Sequence, residues 1–182
     1  MLVVIIFTVN GIRQMMMKNK FFSKMVYIAC CFLGASSASA WSSTDEYYEA
    51  LNCMALNIYH EARSESQIGQ YAVAYVTLNR VFDDRYPNNI CDVVFQANRD
   101  SAGRIKLNQC QFSWYCDGKS DKARDKQKWI QSIINANYVI NNYSRENDPT
   151  IGSTMYHAVY VKPYWARDYQ HTVRIGLHIF YK

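Results

Sequence analysis

The chain reads as an α+β protein, with helices first and a small antiparallel sheet last. Three observations carry that reading. Apolar residues recur at three- and four-residue spacing between positions 46 and 81 and again from 121 to 142. After position 154 the sequence turns to β-branched and aromatic runs. No internal repeat or low-complexity segment interrupts the order. A chain of 182 residues is expected to hold one domain, and the first forty positions stand apart from it.

Lys18, Lys20 and Lys24 form a basic stretch, an apolar run covers 25–35, and a small-residue tract ends in Ala38-Ser39-Ala40. That order is the pattern of a secretory signal peptide. The apolar run falls short of the roughly 20 residues a membrane-spanning helix needs, so no stable membrane insertion is expected after cleavage. Another apolar run at 1–9 precedes it, and Met17-Lys18-Asn19-Lys20 would open a signal of ordinary length. Residues 1–16 therefore read as an extension ahead of a start at Met17. Cys30 follows Tyr27-Ile28-Ala29, a poor context for lipidation. The expected mature domain is 41–182, exported to the periplasm, the cell wall or the medium.

Within that domain a first helix is expected over 46–63, capped by Thr44 or Asp45, with Leu51, Met54, Ala55, Ile58 and Ala62 as its apolar stripe. Residues 64–68 turn the chain. A second helix follows over 67–81, where Ala72, Val73, Ala74, Val76 and Leu78 make it largely buried and able to pack closely. Pro87-Asn88-Asn89 marks a loop over 83–89. Residues 90–96 suit a short strand or a helical turn, 98–108 a mobile polar loop, and 110–118 a compact aromatic segment. A third helix is expected over 121–142, with Trp129, Ile133, Ile134, Tyr138 and Ile140 as its apolar face. Strands at 154–161 and 173–180 are expected to pair as a hairpin across the loop 162–171.

Charge excludes one class of partner. The whole chain carries +5, but Arg13, Lys18, Lys20 and Lys24 lie in the first forty residues, which hold no acid. The other 16 basic residues face all 15 acids, leaving +1 on residues 41–182. Bulk electrostatics gives no reason to expect nucleic acid. Of the six cysteines, Cys30 and Cys31 would leave with the signal. Cys53, Cys91, Cys110 and Cys116 remain, an even number suited to two disulfides in an oxidising compartment, with three pairings open. Their spacing includes no C-x2-C pair, which speaks against zinc.

Glu61 stands in Tyr59-His60-Glu61-Ala62-Arg63, near the end of an apolar helix. It is either a solvated or ion-paired surface acid, or a half-buried acid whose raised proton affinity suits it to donate near neutral pH. Glu65 would share its face if the helix continued, and a second close carboxylate would raise one of the two further. The histidines His60, His157, His171 and His178 include no H-E-x-x-H, though His60, His157 and His178 could assemble a dispersed zinc site. Aromatic residues make up 15% of the chain. Phe112, Trp114, Tyr115, Tyr156, Tyr160, Tyr164 and Trp165 lie outside clear helical stripes, and Gln109, Gln111 and Ser113 sit beside some of them. Such a mixture suits either an aromatic core or a cleft that takes sugar rings.

The run Asn57-Ile58-Tyr59-His60-Glu61-Ala62-Arg63-Ser64-Glu65, then Gly69-Gln70-Tyr71-Ala72-Val73-Ala74 and Leu78-Asn79-Arg80-Val81, resembles the SleB-type, spore-cortex-lytic cell-wall hydrolases. Gln111-Phe112-Ser113, Asp148-Pro149-Thr150 with Gly152, Tyr156, Pro163 and Trp165, and Ile175-Gly176 with His178-Ile179-Phe180 continue the likeness over most of 53–181. The resemblance implies a lysozyme-like, lytic-transglycosylase-like helical core and an enzyme that cuts the glycan strands of peptidoglycan. It makes Glu61 the catalytic acid/base and implies neither metal nor other cofactor. Gln111, Phe112, Ser113, Tyr156 and His157 become candidates for the substrate-binding wall, although His157 departs from the aromatic that relatives carry at that point. Arg63, Asn79 and Arg80 are expected to support helix packing. The enzyme is expected to act as a monomer. Two other chemistries stay open: a hydrolytic muramidase using a second carboxylate, Glu65 or Asp117, and a zinc-dependent amidase.

Overall fold

The computed structural model describes residues 42–182. The expected signal peptide, the start at Met17 and the context of Cys30 lie outside the described residues.

Helix α1 spans Ser42–Ala62. It begins four residues before the expected start, so Thr44 and Asp45 lie in its first turn instead of capping it, and Asp45 places negative charge near the positive end of the helix dipole. The predicted stripe is real: Met54, Ala55, Ile58 and Ala62 are buried. The helix stops at Ala62, where the backbone N–H of Glu65 returns to the Ala62 carbonyl. Glu65 therefore does not continue the face of Glu61, and its side chain goes elsewhere.

Helix α2, Gln67–Val81, is the axis of the fold. From Ala72 to Arg80 every residue is buried, which requires packing on all sides. One face meets α1, the short helix α3 (Ile90–Val94) and helix α4 (Lys126–Asn142). Another face sets Ala72 and Val76 against Phe180 of the C-terminal sheet. The α1–α2 contact has a polar pin: Asn57 Nδ2 donates to Thr77 Oγ1 at 3.1 Å, and Trp114 Nε1 donates to Asn57 Oδ1 at 3.2 Å. Buried amides persist only when satisfied in this way.

Segment 90–96 resolves as helix, because Asn89 caps it by accepting from the Asp92 N–H. Helix α4 starts later than expected. Asp125 caps it through the Lys128 N–H, and the chain ahead is tied down by Arg124 N–H and Asp125 N–H donating to the Tyr59 hydroxyl. Its inward face matches the expected one in part: Trp129, Ile133 and Ile140 pack against the core. Ser132, Asn135, Ala136 and Val139 are buried, while Ile134 and Tyr138 are exposed. The polar residues fit because Asn135 Nδ2 donates to Gln70 Oε1 on α2 at 2.7 Å.

The expected mobile loop at 98–108 is an antiparallel ribbon of β1 (Ala97–Arg99) and β2 (Ile105–Cys110). Asp100 closes its turn by accepting from the N–H groups of Ala102 and Arg104. The C-terminal sheet has three strands, β3 (Met155–Ala158), β4 (His171–Ile175) and β5 (His178–Tyr181), in the order β3-β5-β4. The expected pairing of the two runs holds, with Tyr156 opposite Phe180. The second run is itself a hairpin, turned at Gly176-Leu177 between the paired Ile175 and His178. Gly176 has φ +56°, the left-handed conformation a tight hairpin favours. Disulfides join Cys53 to Cys91, linking α1 to α3, and Cys110 to Cys116, closing the Gln111-Phe112-Ser113 segment into a small loop.

Candidate active site

Glu61 sits in the last turn of α1 and is half-buried. Its carboxylate faces β3, where the Tyr156 hydroxyl donates to Oε2 at 3.0 Å. Burial raises the proton affinity of Glu61 above that of an ordinary glutamate. The Tyr156 hydrogen bond and then the positive charge of Arg80 partly offset it. Tyr156 is pushed the same way, first by burial and then by the Glu61 charge, so its phenol stays protonated and acts as donor. Its ring is fixed by an edge contact with His178 at 5.2 Å and by Phe180 at 5.6 Å.

Arg80, on α2, is the positive pole and is 2% exposed. Its Nε donates to the Thr154 carbonyl at 2.7 Å, immediately ahead of β3. Its guanidinium lies between the rings of Tyr86 and Phe112, at 5.4 and 5.1 Å from their centroids. The Gln111 amide oxygen accepts from both Nη1 and Nη2, at 3.2 and 3.0 Å. Among the described residues Arg80 makes no ion pair, so Glu61 is the acid whose charge it feels. Asn79, its neighbour, donates to Asp148 Oδ2 and to the Ser153 carbonyl, at 2.8 and 2.9 Å. Asp148 also accepts from the N–H groups of Thr150 and Gly152. This clamp fixes the lead-in to β3, and therefore Tyr156, against α2. Asn79 and Arg80 thus do more than the helix packing expected of them. The signal was available in outline, as an amide and a charge side by side in a helix whose preceding turns are mostly apolar.

The remaining candidates divide. Phe112 is buried, with its ring 6.5 Å from that of Tyr156, and Ser113 is exposed at the start of the 3-10 turn Ser113–Cys116. Gln111, expected to meet substrate, turns its amide oxygen to Arg80 instead. His157 is on the far side of β3 from Tyr156, as strand alternation requires. Its ring nitrogens meet the Ala158 carbonyl at 2.8 Å and the Tyr181 hydroxyl at 3.0 Å, so it does not share the Glu61 site. Trp165 packs edge-on to His157 and Tyr181, while Tyr160 and Tyr164 are open to solvent.

The Glu65 carboxylate tucks under the β4–β5 turn. It accepts from the Leu177 N–H at 3.4 Å and stands 4.0 Å from His178 Nδ1. It lies so close to Gly176 that a Cβ there would come within 2.0 Å of Oε2. Burial lowers the proton affinity of His178, against the pull of Glu65. Among the described residues no three His, Cys, Asp or Glu side chains converge as a metal-ligand set, so the dispersed trio His60, His157 and His178 is not brought together.

Two open clefts lie near these elements, and Glu61 lines neither. One, of about 640 Å³, runs beside the Asn79–Asp148 clamp. The other, of about 420 Å³, lies along Tyr59, His60 and Arg63 of the α1 end and Trp114.

A helical core with one half-buried glutamate closing its first helix, met by a tyrosine from a small sheet, defines a lysozyme-like domain. The chain belongs to the Cell Wall Hydrolase family (Hydrolase_2), whose sequence model matches residues 64–181 and so begins just past Glu61. It resembles the catalytic domain of the Bacillus cereus SleB protein, with 27% identity, a TM-score of 0.51, and coverage of 74% of this chain and 91% of that one. The catalytic domain of the germination-specific lytic transglycosylase SleB from Bacillus anthracis is similar at 27% identity and TM-score 0.51, over 73% of this chain and 93% of that one. A spore cortex-lytic enzyme of Bacillus cereus is 36% identical over 77 residues, 41% of this chain and 28% of that protein. The matched region spans only 14–28% of the length of the curated relatives.

Proposed function

We propose that this domain cleaves the glycan strand of peptidoglycan between N-acetylmuramic acid and N-acetylglucosamine as a lytic transglycosylase, with Glu61 as its single acid/base. The observation that carries the reading is a half-buried glutamate of raised proton affinity, hydrogen-bonded by a half-buried tyrosine that stays protonated. Glu61 donates its proton to the bridging oxygen, and the bond from that oxygen to the muramic acid C1 breaks. Positive charge spreads over C1 and the ring oxygen. The resulting carboxylate, favoured by the Tyr156 hydroxyl and by Arg80, takes the proton of the same sugar's C6 hydroxyl while O6 bonds to C1. The products are a free 4-hydroxyl on the leaving sugar and a 1,6-anhydro ring. One carboxylate suffices because the nucleophile is tethered at high effective concentration.

The likeness to a protein described as a lytic transglycosylase supports this choice. So does the engagement of the other carboxylates the hydrolytic alternative would call on. Glu65 is tied to the β4–β5 turn, and Asp117 is paired with Lys119 at 3.4 Å. Two disulfides and the N-terminal pattern fit an exported enzyme working in the periplasm or wall. Mass spectrometry of the products released from purified peptidoglycan tests the chemistry. Anhydro-muropeptides are expected. Reducing-end saccharides would replace the transglycosylase with a muramidase, and free peptides would replace it with an amidase.

A further inference from the structure

The 420 Å³ cleft beside α1 holds more charge than the domain around it. Arg63, Lys119, Lys122 and Arg124 line it against two carboxylates, Asp117 and Asp121. Asp117 is already taken by the side chain and backbone N–H of Lys119. Asp121 is partly buried, and burial raises its proton affinity. Among the described residues Arg63, Lys122 and Arg124 make no ion pair. On a domain whose net charge is close to zero, three unpaired cations around one hollow are a local surplus. Two of the three segments that carry them are anchored on Tyr59. Arg63 donates to the Tyr59 carbonyl and lies over the Tyr59 ring, and the Tyr59 hydroxyl accepts from the backbone N–H of Arg124. The wall between is the stack of His60 on Trp114, with ring centroids 4.5 Å apart.

This hollow adjoins the Glu61 site. His60 directly precedes Glu61, and Trp114 follows Phe112 by two residues, so the same two segments line both places. Successive residues of an α-helix point about 100° apart, so the path round its surface from one to the next is roughly 10 Å. An extended peptide covers about 3.3–3.6 Å per residue, so about three residues bridge that gap. In peptidoglycan the muramic acid carries such a peptide on its lactyl group, and the peptide bears free carboxylates.

We propose that the cleft of Arg63, Lys122 and Arg124 binds the carboxylates of the stem peptide borne by the muramic acid at Glu61, making peptide-bearing strands the preferred substrate. This inference rests on the glycan-cleaving reading above. The three cations supply the recognition and the His60–Trp114 stack supplies a flat wall for the peptide backbone.

The test compares kcat/KM on purified glycan strands carrying their peptides with that on strands stripped by an amidase. The expected preference for peptide-bearing strands is roughly tenfold, which two or three exposed ion pairs supply, and it should shrink as salt screens them. The double variant Lys122→Glu/Arg124→Glu should bring the ratio close to one. Arg63→Gln, a milder change, should lower it in part, and thermal melts show that each variant folds. A wild-type enzyme that cleaves both strands at one rate overturns the peptide site and leaves the lytic reading standing, as do folded variants that keep the wild-type ratio. An enzyme that cleaves neither overturns both.

Discussion

Replacing Tyr156 by phenylalanine removes one hydroxyl and keeps the ring that packs on His178 and Phe180. That hydroxyl donates to Glu61 at 3.0 Å, and its partner is a carboxylate for half of the proposed cycle. A hydrogen bond to a charged group is worth about 1.5–3 kcal/mol. Its loss leaves burial, the largest influence on Glu61, less opposed. Glu61 should then hold its proton roughly ten- to a hundredfold more tightly. The free enzyme must carry that proton to act, so kcat/KM falls as pH rises through the titration of Glu61. The descending limb of the profile should therefore move to more alkaline pH in Tyr156→Phe. Its plateau should fall as well, because donating the proton to the bridging oxygen then leaves a less stabilised carboxylate. The assay is the initial rate of muropeptide release from purified peptidoglycan across a pH series. A limb that stays in place or moves toward acid refutes the assignment of the tyrosine as donor to the catalytic acid.

Glu61→Gln should fold and lose about two to four orders of magnitude in lytic rate, the worth of general acid catalysis; near wild-type clearing of peptidoglycan would show the site to be elsewhere. The same variant should melt above wild type at pH 7. A proton affinity raised by folding stabilises the native state below the ordinary glutamate pKa of 4.5 and loses that stabilisation as pH rises, and glutamine removes the penalty. The difference in melting temperature should close below pH 4.5, and a Glu61→Gln melt lower than wild type at neutral pH would contradict the burial argument. Asn79→Ala removes one donor from the buried carboxylate of Asp148, which keeps the Thr150 and Gly152 N–H groups, and should cost about 1.5–3 kcal/mol, roughly 5–10 °C of melting temperature. An unchanged melt would mean that the clamp adds nothing. The 38-residue separation of Cys53 and Cys91 predicts a loss of about 4 kcal/mol on removing that disulfide. The separation of 6 between Cys110 and Cys116 predicts roughly 2 kcal/mol, and paired alanine variants read by denaturant melts should rank in that order.

The helices were legible where burial follows spacing. Met54, Ala55, Ile58 and Ala62 keep one face of α1 inward, and an unbroken run of small and apolar residues marked α2 as central. The sheet was harder because its breaks are set from a distance. Val173–Phe180 alternates as one strand would, and Gly176 inside it is a weak local signal. The chain turns there because glycine can take a positive φ and because the carboxylate of Glu65, from the α1–α2 connection, occupies the space beside its Cα. Likewise Asp100 alone converts a polar stretch into a closed ribbon, through hydrogen bonds that composition does not display.

At the proposed site, the glutamate could be marked in the sequence and its electrical surroundings could not. A glutamate near the end of an apolar helix can be marked from its neighbours, but whether it is a donor depends on what lies opposite. Tyr156 lies there because the alternation of β3 sends it to one face and His157 to the other, and the Asn79–Asp148 clamp fixes where that strand begins. Arg80 reads in sequence as a charge near a helix end, where solvent is the ordinary expectation. Only the return of the chain through Thr154, with the rings of Tyr86 and Phe112 on either side, buries it. The two opposite charges are therefore joined through α2 and the lead-in to β3. A substitution that frees that lead-in, such as Asn79→Ala, should loosen the hold on Tyr156 and shift the pH profile of Glu61 while touching neither residue. A merely structural role for Asn79 would lower the melting temperature and leave the profile of the folded enzyme where it was.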